Sequence, residues 1–133
     1  MRLQRPLATI LWIVVAAILV QAMLAGSGLF GSPELFELHG WIGAGVIALS
    51  GLAALIALFS RQGAVVTFGT IILAAASVMQ IGMGYAGRRS GITVLSEWHV
   101  PLGVAMLGLA VAVAVLVTVG ARTRRDEVGN PGS

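Results

Sequence analysis

The sequence predicts an all-α integral membrane protein, an antiparallel four-transmembrane-helix bundle made of two duplicated helical hairpins. Three observations carry this reading. The chain is 58% hydrophobic and only 10% charged, too little charge to coat a soluble domain of this size. It contains four apolar stretches of span length. The links between them are short, so successive helices must run antiparallel beside one another.

Crossing about 30 Å of hydrocarbon takes about 20 apolar residues. The stretches 7–29, 35–59, 64–86 and 100–119 meet that requirement, and none carries a charge in its central part. Glycine and serine punctuate the first connection at Gly26-Ser27-Gly28 and Gly31-Ser32-Pro33. There Ser32 is the expected N-cap, Pro33 suits the first helical position and Glu34 complements the helix dipole. Ser60-Arg61-Gln62-Gly63 is a tight turn, and the longest link is 87–96. The spans make one domain, 1–120. The polar tail 121–133, with its glycines and proline, reads as disordered.

The sequence has no lysine, so arginine supplies all the positive charge behind the net +3. The arginines sit in short flanks between apolar runs. They form no stripe and are not interleaved with exposed aromatics, so nucleic acid is not an expected partner. They do predict an orientation. With both termini cytoplasmic, Arg2, Arg5, Arg61, Arg122, Arg124 and Arg125 lie inside and only Arg88 and Arg89 outside, with Glu34, Glu37 and Glu97. The expected location is the bacterial inner membrane, in a multi-pass arrangement. The basic start and apolar run of the first span also resemble a signal peptide, but its part in an internal repeat argues for a retained helix. Cysteine is absent, which excludes disulfides, thiol chemistry and iron–sulfur clusters.

The repeat joins the two halves. Glu37-Leu38-His39-Gly40-Trp41-Ile42-Gly43 aligns with Glu97-Trp98-His99-Val100-Pro101-Leu102-Gly103 at an offset of 60 residues, and Gln21 pairs with Gln80 at an offset of 59. The first and third spans thus each bring one glutamine near their outer end. The second and fourth each bring one histidine near their start. Duplicated hairpins account for this pattern, and it puts four polar groups from four helices at a similar depth.

His39 and His99 are the only histidines. Alternate helices of an antiparallel bundle lie diagonally across its core, so these two side chains are expected to face each other and hold the iron of a haem b from both sides. Gly43 and Gly103, one turn further along each helix, would leave room for the flat macrocycle. The nearby helix N-termini would favour the neutral ring that a metal ligand requires. Arg88 and Arg89 would meet propionates, and Gln21 or Gln80 would orient a ligand ring or bond a propionate. Plainer roles stand beside each of these. The glutamines serve as interhelical glue and the glycines as packing sites, while the arginines make a solvated pair. Trp41, Trp98 and Tyr85 read as aromatic-belt anchors, and Met79 and Met83 as packing, with Met83 an alternative ligand. Pro101 requires either a helix that starts near Val100, leaving His99 outside it, or a kink.

With these residues in hand, the chain resembles one four-helix half of haem A synthase, a family whose halves are built around histidines on their second and fourth helices. It also resembles a family of small bacterial four-helix membrane proteins. Those proteins carry a motif like Gln21-Ala22-Met23-Leu24-Ala25-Gly26 at one helix end and one like Glu37-Leu38-His39 at the next helix start. The resemblance implies a haem-binding fold and does not extend to haem modification. The synthase has two halves and this chain one. The synthase glutamate precedes its ligand by three residues, whereas Glu37 and Glu97 precede by two, on the opposite helix face. The paired outer cysteines of many synthases are absent.

The expected function is that of a membrane b-type haem protein passing electrons within or beside a redox complex. It would be an electron carrier or subunit rather than a stand-alone catalyst, and no catalytic residue is assigned. Its partners would be the lipid bilayer and either redox-complex subunits or a quinol, with a homodimer as an alternative. Two other readings stand: a cofactor-free structural or assembly subunit, and a chlorophyll-type tetrapyrrole protein. A transporter is disfavoured, because no charged residue falls at mid-span and no helix is visibly broken there.

Overall fold

The computed structural model describes residues 3–32, 34–91 and 93–129. Four helices follow in order: α1 (Gln4–Phe30), α2 (Leu35–Phe59), α3 (Ala64–Ser90) and α4 (Thr93–Gly129). Each contains a stretch long and apolar enough to cross a membrane: Gln4–Phe30, Leu35–Phe59, Ala64–Gly87 and Glu97–Ala121.

The helices close into a ring. α1 packs on α2, α2 on α3, α3 on α4, and α4 back on α1. α2 and α4 therefore stand on one diagonal, as expected for helices that are to face each other across the core. Neighbours run antiparallel, with Trp12 early in α1 donating from its indole to the Thr118 hydroxyl late in α4 (3.2 Å). Midway along the bundle the Ser77 hydroxyl of α3 donates to the Leu73 carbonyl (2.7 Å) and accepts from the Ser50 hydroxyl of α2 (3.3 Å).

Leu7, Leu11, Val14, Val15 and Ile18 of α1 pack with Leu73 of α3 and with Val46, Ala53, Ala57, Met106, Ala110, Val113, Ala114 and Val117 of α2 and α4. The small residues bring backbones close, which is how membrane helices gain dispersion contact without a hydrophobic drive. At Gly69 an added Cβ would stand 2.6 Å from Val113 Cγ2, so α3 and α4 approach within reach only of a bare backbone. The outward faces carry large apolar side chains, among them Phe30, Trp41, Phe59, Phe68, Trp98 and Val104. The two halves repeat in register: from His39 to Ser50 and from His99 to Ala110, buried, half-buried and exposed positions alternate in the same order.

Several element ends depart from the sequence expectation. α2 is preceded by Glu34 as its N-cap, and no side chain caps it; Ser32 contributes its backbone carbonyl, which accepts from the Leu35 amide (2.9 Å). Pro33 lies outside the described residues. α4 begins at Thr93 rather than near Val100, which places His99 inside the helix and Pro101 in its interior. At its far end α4 stays helical through Gly129, on alanine, arginine and glutamate that favour helix, where the sequence reading put a disordered tail; residues 130–133 lie outside the described ones.

Candidate functional site

Antiparallel pairing of α1 with α2 brings the Gln21 turn beside the His39 turn, and the two residues bond twice. The Gln21 side-chain amide donates to the His39 carbonyl (2.8 Å). His39 Nδ1 lies 3.0 Å from the Gln21 carbonyl oxygen. A carbonyl only accepts, so Nδ1 must carry the proton and donate. In the neutral ring this leaves the Nε2 lone pair free.

The second hairpin builds the same arrangement. The Gln80 amide donates to the His99 carbonyl (2.6 Å), and His99 Nδ1 donates to the Gln80 carbonyl (3.0 Å). The amide orientation of Gln80 follows, since the His99 carbonyl needs a donor. Its Oε1 is then left buried without a hydrogen-bond partner.

Gly43 and Gly103 leave room for these amides. A Cβ at Gly43 would stand 2.9 Å from the Gln21 Nε2, and one at Gly103 3.0 Å from the Gln80 Nε2. The room expected for a macrocycle at these two positions is taken by the glutamine amides. The glutamines act as interhelical glue, the plainer of the roles expected of them: their side chain donates to the histidine carbonyl, and their main-chain carbonyl accepts the imidazole N–H.

Across the diagonal the two imidazoles come together, with ring centroids 6.2 Å apart and planes inclined by 50°. Both histidines are half-buried. His39 is the fifth residue of α2 and His99 the seventh of α4. Both therefore lie beyond the first turn, where the dipole acts most strongly. Their protonation pattern rests on the carbonyl partners instead.

The residues present suit a metal macrocycle better than a bare ion. Among the described residues no group of three His, Cys, Asp or Glu could hold a metal ion. A tetrapyrrole brings four nitrogens of its own and asks the protein only for axial ligands. The two ring centroids stand 6.2 Å apart between α2 and α4, so both histidines could contact one guest. Metal-bound histidines also typically donate their other N–H to a carbonyl or carboxylate, and both rings here do so.

Other expected site residues stand apart. The Arg89 guanidinium lies over the Tyr85 ring, 4.7 Å from its centroid. It follows Gln80 by nine residues, about 13 Å of helical rise. The side chain of Arg88 lies outside the described residues. Met79, Trp41, Trp98 and Tyr85 are exposed on the outer surface of the bundle, and Met83 is half-buried. Glu37 and Glu97 are also exposed, facing away from the histidines of their own helices.

One close neighbour of the site was not anticipated. An added Cβ at Gly84 would meet His99 Cε1 at 3.0 Å, Nδ1 at 3.3 Å and Nε2 at 3.9 Å. Its position one turn after Gln80, on the face that meets α4, is the signal that would have found it.

No family model, no curated protein and no solved structure matches this chain.

Proposed function

We propose that this chain is a b-type haem protein of the bacterial inner membrane, with haem held between His39 and His99 near the outer face and both termini cytoplasmic. Its role is electron transfer within or beside a membrane redox complex, with complex subunits or a quinol as partner. The observation that carries the reading is the close pair of imidazoles, centroids 6.2 Å apart, each with its Nδ1 proton committed to a carbonyl of the neighbouring helix. Bound haem would supply one-electron chemistry at iron. The chain's own residues orient the two rings, keep Nε2 available and surround the site with apolar helices. Duplication of an ancestral hairpin accounts for the matched Gln–His pairs.

A cofactor-free assembly subunit is the second reading, favoured by one observation. The Gln–His bonds staple each hairpin without any guest, so these residues have a structural task of their own. A chlorophyll-type tetrapyrrole is the third, since a histidine also ligates magnesium in such pigments.

Absorption spectra distinguish the three. The protein, purified in mild detergent, is measured oxidised and dithionite-reduced beside His39→Ala and His99→Ala. Sharp reduced α and Soret bands, weakened by either substitution, are expected. A chlorin spectrum would favour the pigment reading. A colourless protein that stays colourless after haem reconstitution would leave the assembly subunit.

A further inference from the structure

We propose that Gly84 is the positioning residue for His99, and that it makes His99 the more firmly seated of the two histidines. The inference takes its functional meaning from the haem reading, but its geometry and its test do not depend on haem.

The ring of His99 rests against the α3 backbone at Gly84. Of the three ring atoms near a Cβ built there, Cε1 is nearest at 3.0 Å, Nδ1 next at 3.3 Å and Nε2 farthest at 3.9 Å. The imidazole therefore meets α3 chiefly through Cε1 and Nδ1, with Nε2 the farthest of the three. In this seat Nδ1 donates to the Gln80 carbonyl, one turn before Gly84. A methyl group in this place would push the ring outward by a few tenths of an ångström. His99 belongs to a helix packed along α3, so the displacement would fall on the ring and on its hydrogen bond.

The other hairpin lacks this device. Counting from the glutamines, the residue one turn after Gln21 is Ala25, which already carries the methyl group that Gly84 omits. The two hairpins thus share the same Gln–His bonding but differ in side chain at this position. The firmer ring sets the fixed side of any axial pair, and the other takes up the remaining adjustment.

The test reads the imidazole N–H protons of the full-length, haem-free protein by nitrogen-resolved NMR in detergent at pH 8, with His39→Ala and His99→Ala for assignment. In the wild type the His99 Nδ1 proton should exchange with solvent more slowly than that of His39. Gly84→Ala should speed the His99 exchange about tenfold or more, as expected when a protecting hydrogen bond is lost, and leave His39 unchanged. Gly82→Ala is the control on the same helix, because a Cβ there meets nothing within 4 Å, and it should change neither. An unaltered His99 proton in folded Gly84→Ala would overturn the proposal, as would equal effects of Gly82→Ala and Gly84→Ala. Should Gly84→Ala not fold, Ala25→Gly decides: it should slow His39 exchange toward that of His99, and no change would count against the proposal. A protein that binds no haem would still give these results, so failure of the haem reading and failure of this one are separable.

Discussion

A main-chain carbonyl, rather than a carboxylate, accepts the imidazole N–H at His39 and again at His99. That choice avoids a buried charge, which an apolar bundle would penalise heavily. It also explains why no acidic side chain needs to accompany either ring. The glutamines complete the arrangement by reaching back to the histidine carbonyls, and their amides lie where a Cβ at residue 43 or 103 would crowd them. Gly43→Ala and Gly103→Ala should each destabilise the bundle by about 1–3 kcal/mol through overpacking. Gly40→Ala and Gly45→Ala, where a Cβ meets nothing within 4 Å, should be neutral or mildly stabilising, since alanine favours helix by up to about 1 kcal/mol. Unfolding midpoints of the four variants in detergent check this, and equal effects at all four positions would contradict it. The sequence identified the right polar residues because a glutamine or histidine in an apolar helix is conspicuous. It gave the glutamines their role as interhelical glue but not their partner atoms, because hydropathy carries no information on which atom of a residue is used. Gly84 was invisible for a related reason: among 18 glycines, only a neighbour's position reveals which one something rests upon.

At the scale of the helices, apolar content located the spans well, and α2 (Leu35–Phe59) ends where its hydrophobic run ends. The polar ends were less legible, because a helix does not stop where the apolar stretch does. Thr93, Ser96 and Glu97 extend α4 on its early side, and Arg122 to Glu127 extend it on the other. Pro101 is consequently an interior proline, and the Glu97 carbonyl loses its usual amide partner. The turn between α2 and α3 closes with a Schellman pattern: the Gln62 amide donates to the Ala57 carbonyl (3.1 Å) and the Arg61 amide to that of Leu58 (3.4 Å). Its left-handed position is occupied by Arg61, at φ 51°, where glycine is the usual choice. Arg61→Gly should therefore raise stability by up to about 1 kcal/mol. Thermal unfolding in neutral detergent checks the sign. A loss of stability there would mean that the arginine side chain contributes more than its backbone costs.

In the whole molecule the buried faces are uneven. α1 offers Leu7, Leu11, Val14, Val15 and Ile18 to the core, whereas α3 sets Thr70 and Ser77 among its buried positions beside Leu73. The matched burial of α2 and α4 holds to the middle of the bundle, where the side chains differ, Ser50 corresponding to Ala110. The proposed orientation follows from the arginines alone. Because the chain has no native cysteine, it can be checked on a clean background. Ser32→Cys should react with an impermeant maleimide added to intact cells, and Gln62→Cys only after permeabilisation. The reverse pattern would invert the topology.

The Gln–His bonds all lie within a hairpin, Gln21 with His39 and Gln80 with His99. Neither pair draws its bonds from the other hairpin, and between the halves the two imidazoles come within 6.2 Å. A guest gripped by both rings would then act as a rivet between the halves. Its binding free energy would add to their association, so occupancy and cohesion would rise together with guest concentration. Removing either ring would sever that linkage while sparing the other hairpin's internal bonds.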